Sequence, residues 1–167
     1  MAKTIKNISN NFCNSNKTWD SLKNGNKLFN EKKYEEALNE YNTALNNYST
    51  LIMPNNEYNY ERAYCYGKIA QCYIRLNNIN EAIYNFGASI NLELIPEFIC
   101  DLTSIYYTNM DYDKIFVYSK ILLETANKNL PSYDNEYYKK EAIKFLLALE
   151  NIKYERAIQY LDNNVRR

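Results

Sequence analysis

Apolar side chains along this chain return at intervals of three and four residues, the spacing that lines one face of an α-helix. The series Tyr34, Ala37, Leu38, Tyr41, Ala44 and Leu45 sustains that spacing over three turns and predicts a helix. Upstream, Trp19, Leu22, Leu28 and Phe29 predict another. Thr18 is placed to cap it, Asp20 is acidic in a favourable first turn, and Gly25 gives a neighbouring helix room to approach closely. The polar run Asn30-Glu31-Lys32-Lys33 between them predicts a tight turn. A longer connection holding Pro54-Asn55-Asn56 leads to a third helix over about 61–76, built on Ala63, Tyr66, Ile69, Ala70 and Tyr73. Asn77-Asn78 turns the chain into a fourth over about 80–92, through Ala82, Ile83, Phe86 and Ile90. Pro96 opens a fifth, since proline is tolerated in a first helical turn, and Phe98, Ile99, Leu102, Ile105 and Tyr106 continue it. After Asn109-Met110-Asp111 comes a sixth, with Tyr112, Ile115, Phe116, Ile121, Leu122 and Leu123. Pro131 is expected to open a seventh helix, apolar from Ala142 to Leu149. Tyr154, Ala157, Ile158 and Leu161 predict an eighth.

Four of the predicted turns carry one signature. Lys33-Tyr34-Glu35-Glu36-Ala37-Leu38 lines up with Asn78-Ile79-Asn80-Glu81-Ala82-Ile83, with Asp111-Tyr112-Asp113-Lys114-Ile115-Phe116, and with Lys153-Tyr154-Glu155-Arg156-Ala157-Ile158. The spacings between Tyr34, Ile79, Tyr112 and Tyr154 are 45, 33 and 42 residues. The pattern resembles the tetratricopeptide repeat, whose period is ~34 residues. In the first repeat the residues that carry the likeness are Gly25, Leu28, Tyr34, Ala37, Tyr41, Ala44 and Leu45. In the second they are Ala70, Tyr73, Ile79, Ala82, Phe86 and Ile90. The third keeps Tyr106 and Tyr112 but has Ile115 and Ser119 where a small residue and an aromatic are usual. The fourth implies an insertion between Leu149 and Tyr154. The resemblance implies an all-α, right-handed α-solenoid of about four helix pairs, near 18–50, 60–93, 96–127 and 132–165, within a domain over 17–165. Residues 1–16, polar and rich in Asn, predict a flexible arm ahead of it, although Ile5, Ile8 and Phe12 share helical spacing.

In such a solenoid the first helix of each pair lines a concave groove. The residues placed there by the resemblance are Trp19, Asn26, Phe29, Asn30, Tyr64, Lys68, Gln71, Arg75, Glu97, Asp101, Ser104 and Tyr107. The opening repeats are most similar to those of co-chaperones and immunophilins, which clamp an acidic chaperone tail with basic and amide side chains. Of the clamp positions only Asn26 is kept. The second asparagine position falls on Lys68, the first lysine position on Leu22 beside Lys23, and two basic positions on Glu97 and Asp101. Carboxylates there repel a peptide carboxylate, so an acidic tail is a poor ligand. The implied function is a non-enzymatic adaptor or scaffold that holds a peptide or protein partner. A structural subunit of a larger assembly and a divergent co-chaperone are the alternatives.

Composition narrows this further. The 167 residues hold 20 basic and 20 acidic side chains, a balance that argues against a nucleic-acid partner. Three Gly and three Pro suit long helices. No histidine occurs, which removes imidazole bases and ligands, and the four cysteines include no CxxC pair. With no phosphate loop and no nucleophile beside a base, no catalytic residue, metal or cofactor is expected. No apolar run is long enough to insert in a membrane, and free thiols without a signal peptide point to a cytoplasmic location. Many of the 18 Tyr stand at repeat packing positions, so their number alone implies no ligand.

Overall fold

The computed structural model describes residues 17–50, 58–128 and 130–165, and side chains for all of these but 49–50 and 156–165. The arm at 1–16, with Cys13, lies outside the described residues. Those residues form helices and turns without a strand: α1 (17–30), α2 (Tyr34–Thr50), α3 (Asn59–Arg75), α4 (Ile79–Leu92), α5 (Pro96–Thr108), α6 (Tyr112–Asn127) and α7 (Asn135–Val165). Thr18, expected as a cap, is itself helical and fully buried.

Three turns share one geometry. Lys32, Asn77 and Met110 take the left-handed conformation, with φ of 62°, 58° and 55°. Each following residue donates its N–H back five positions: Lys33 to Leu28, Asn78 to Tyr73 and Asp111 to Tyr106, at 2.9, 2.8 and 3.0 Å. Each left-handed residue donates to the carbonyl three positions back, Phe29, Ile74 or Tyr107. This is the Schellman end of a helix, which satisfies carbonyls that a helix terminus would leave unbonded. Lys33, Asn78 and Asp111 then supply the carbonyl for the first hydrogen bond of the next helix. The side chains of Asn78 and Asp111 also accept from Glu81 and Lys114 N–H, as N-caps. One residue thus closes one helix and opens the next.

The fourth signature does not make a turn. Residues 135–165 form one helix, so the two helices expected after Pro131 are a single element. The position equivalent to Lys32, Asn77 and Met110 is Ile152, and a β-branched side chain is strongly disfavoured at positive φ. Nothing in Glu150-Asn151-Ile152-Lys153 breaks a helix, and Lys153 reaches Glu150 at 3.1 Å within it. Pro131 lies in a turn ahead of α7, not in its first turn. The cap is Asp134, which accepts from Tyr137 N–H at 3.0 Å.

The chain divides into two compact units, residues 1–95 and 96–167. In the first, Leu22, Ala37, Tyr41, Ala44, Leu45, Tyr48, Cys65, Ile69 and Cys72 form a core joining α1, α2 and α3. α4 lies along α3, with Ala82 and Phe86 fully buried and Ser89 Oγ donating to the Ala63 carbonyl at 2.7 Å. In the second, α6 packs on both α5 and α7, and α7 also touches α5. Ile115 and Ser119, the two departures from the repeat pattern, are both fully buried on α6.

Candidate functional site

In the first unit the candidate residues centre on Asn26. Its Oδ1 accepts from the Tyr41 hydroxyl at 2.7 Å and from the Tyr64 hydroxyl at 3.4 Å. Gly25 is what admits Tyr41: a Cβ there would stand 2.8 Å from ring carbons of that buried tyrosine. One turn beyond Tyr64, Lys68 holds its ammonium 5.4 Å from the Tyr64 ring centre and 5.8 Å from that of Phe29. A cation over an aromatic face gains about 0.5–1 kcal/mol at exposed sites. The same ammonium donates to Gln71 Oε1 at 2.9 Å, and Phe29 meets Tyr34 edge-on at 5.4 Å. Asn26, Phe29, Tyr64, Lys68 and Gln71 are therefore one connected cluster spanning α1 and α3. Trp19 is 62 % exposed, and Asn30 and Arg75 are exposed; no contact among those described joins them to the cluster.

In the second unit, Glu97 and Asp101 are half-buried on α5. Both act on Tyr138 of α7. Burial pushes that phenol above its usual range, and the charges of Glu97, Cys100 and Asp101 push it further. Ser104 and Tyr107, farther along α5, line a groove of about 250 Å³ with Thr108, Glu141, Lys144, Phe145 and Ala148. Tyr107 and Phe145 lie 5.7 Å apart between ring centres, and Lys144 pairs with Glu141 at 3.2 Å. Sequence reasoning named the α5 side of this groove and missed the α7 side. The apolar run around Phe145 was visible, but helical period assigns a residue to a face and does not say which helix that face meets.

The thiols are poor nucleophiles. Burial pushes Cys65, Cys72 and Cys100 up to about 12, and nearby carboxylates add to this at Cys65 and Cys100. Among the described residues, no three His, Cys, Asp or Glu side chains gather closely enough to hold a metal ion, and no helix is long and apolar enough to cross a membrane. No protein-family model matches the chain, and no curated protein matches it.

Proposed function

We propose that this chain is a tetratricopeptide-type adaptor, a cytoplasmic helical solenoid that holds an extended segment of a partner protein. Three identical turns, two of them 33 residues apart, support the repeat reading. The α5–α7 groove carries the binding reading. Its walls are the Tyr107 and Phe145 rings, its edges carry the Ser104 and Thr108 hydroxyls, and a Lys144–Glu141 pair stands beside it. Aromatic walls accept an apolar side chain; Ser104 and Thr108 donate their protons to the Cys100 and Ser104 carbonyls at 3.0 and 2.9 Å, which leaves each hydroxyl oxygen to accept from a peptide N–H. The volume accommodates one side chain of a peptide and its adjoining backbone.

The first unit plays a different part under this reading. Asn26 and Lys68 stand at positions that the resemblance assigns to a clamp, yet they are engaged with Tyr41, Tyr64, Phe29 and Gln71. That cluster fixes α1 against α3. The test is selection of peptides from a displayed random library, followed by fluorescence polarisation with an enriched peptide. Tyr107→Ala should weaken binding roughly tenfold, the effect of losing one aromatic anchor. Failure to enrich any peptide, or binding indifferent to both Tyr107→Ala and Thr108→Lys, would sink the groove.

A further inference from the structure

We propose that the α5–α7 groove selects an arginine side chain on its partner segment, an inference that rests on the groove being the binding site. The hydrogen-bonding character of the lining carries it. Ser104 and Thr108 spend their protons on the Cys100 and Ser104 carbonyls, so both hydroxyl oxygens are left as acceptors. Glu141, as a carboxylate, accepts only. Lys144 is the one cation among the described residues lining the groove, and it donates to the Glu141 oxygens at 3.4 and 3.2 Å. The Tyr107 phenol can serve either way. An edge so rich in acceptors is matched by a ligand that brings donors. Arginine brings five and no acceptor, lysine three, whereas an acidic side chain brings none.

Charge points the same way. Glu97, Asp101, Ser104 and Thr108 follow one another along α5 at steps of three and four residues, so two carboxylates prolong the line of the groove's α5 wall. The α7 wall supplies Glu141. The buried Cys100 thiol registers both walls: burial first, then the charges of Asp101 and Glu141, push it up to about 12. Against these carboxylates Lys144 competes weakly. Its side chain is 71 % exposed and that of Glu141 22 %, so the anion is held in place while the cation hangs in solvent, and such surface pairs contribute little. A guanidinium can displace it by setting two parallel N–H groups on one carboxylate. The Tyr107 and Phe145 rings, 5.7 Å apart between centres, offer the arginine stem an apolar surface and its planar cation an aromatic face. Lysine, a point charge, lacks both the fork and the plane.

The probe is a fluorescein-labelled peptide enriched from the random library by the full chain, remade with citrulline, a neutral isostere, in place of its arginine. Enriched peptides should share an arginine, and citrulline should weaken binding roughly tenfold or more, the effect of losing a charge-assisted hydrogen bond. Glu141→Gln should weaken the arginine peptide about as much and leave the citrulline peptide unchanged. Lys144→Ala removes the competing ammonium and should tighten the arginine peptide severalfold. Far-UV circular dichroism on each variant confirms that α7 keeps its helicity. Enriched peptides that need Tyr107 yet share no arginine overturn this inference and leave the groove standing. So does an arginine peptide indifferent to Glu141→Gln, or one that Lys144→Ala weakens. A library that enriches nothing, or peptides indifferent to both Tyr107→Ala and Thr108→Lys, overturn the groove and this inference with it.

Discussion

Gly25 and Gly87 both sit inside helices, where glycine is unfavourable by about 0.5–1 kcal/mol relative to alanine. Their surroundings give the same substitution opposite signs. A Cβ at Gly25 would stand 2.8 Å from the Tyr41 ring, which is fully buried and tied to Asn26, whereas a Cβ at Gly87 meets nothing within 4 Å. Gly25→Ala is expected to lower stability by about 1–2 kcal/mol net, overpacking outweighing propensity. Gly87→Ala should raise it by up to about 1 kcal/mol. Urea midpoints of the two variants check both, and equal shifts would refute the packing account. The close approach at Gly25 was legible in the sequence. The role of Asn26 was not, since the resemblance placed it on a groove while the two tyrosine hydroxyls that claim it arrive from α2 and α3. Asn26→Ala should therefore cost about 1 kcal/mol of stability whatever it does to binding, read from the same midpoints.

At the scale of elements, the first six helices were legible because amphipathic period and polar turns coincide in each. The eighth helix was misread because four residue signatures were aligned without asking what the residue before each must do. Lys32, Asn77 and Met110 have unbranched or amide side chains that tolerate positive φ; Ile152 does not. Exchanging these residues separates signature from conformation. Met110→Ile should destabilise the α5–α6 turn by about 1–2 kcal/mol, and Asn77→Gly should be neutral or stabilising. Ile152→Met should leave the helical content of α7 unchanged. Thermal unfolding and far-UV circular dichroism read all three. If Met110→Ile proves neutral, the left-handed residue is not what sets the turn.

Over the whole molecule, the absence of histidine leaves no side chain that ordinarily titrates near neutrality, so stability should be nearly flat there. The alkaline side differs. In the unfolded chain a thiol ionises near pH ~8.5, whereas Cys65, Cys72 and Cys100 hold their protons to about 12 when folded. The folded form then binds more protons than the unfolded one, and its stability falls as pH rises through this window. Tyr48, Tyr106 and Tyr138, each raised chiefly by burial, act in the same direction at higher pH. Urea midpoints across neutral and alkaline pH should show a plateau followed by a decline. The same burial predicts that these three thiols resist alkylation until the chain unfolds. All-helical architecture was legible from period and composition together. The α5–α7 groove was not, because it is made by two helices whose meeting no local pattern encodes.

The three turns also act as joints without slack. Lys33, Asn78 and Asp111 each end one helix and begin another, and each joint occupies the same three residues between helices. The 12 residues by which the first interval exceeds the second lie wholly outside those joints, in longer helices and a longer link from α2 to α3. An added residue at a joint would detach the left-handed position from the cap and swing the following helix by about 100°. Length in this chain can therefore drift in its rods but not in its corners. A single-residue insertion after Asn77 should disrupt folding far more than one placed near the end of α2.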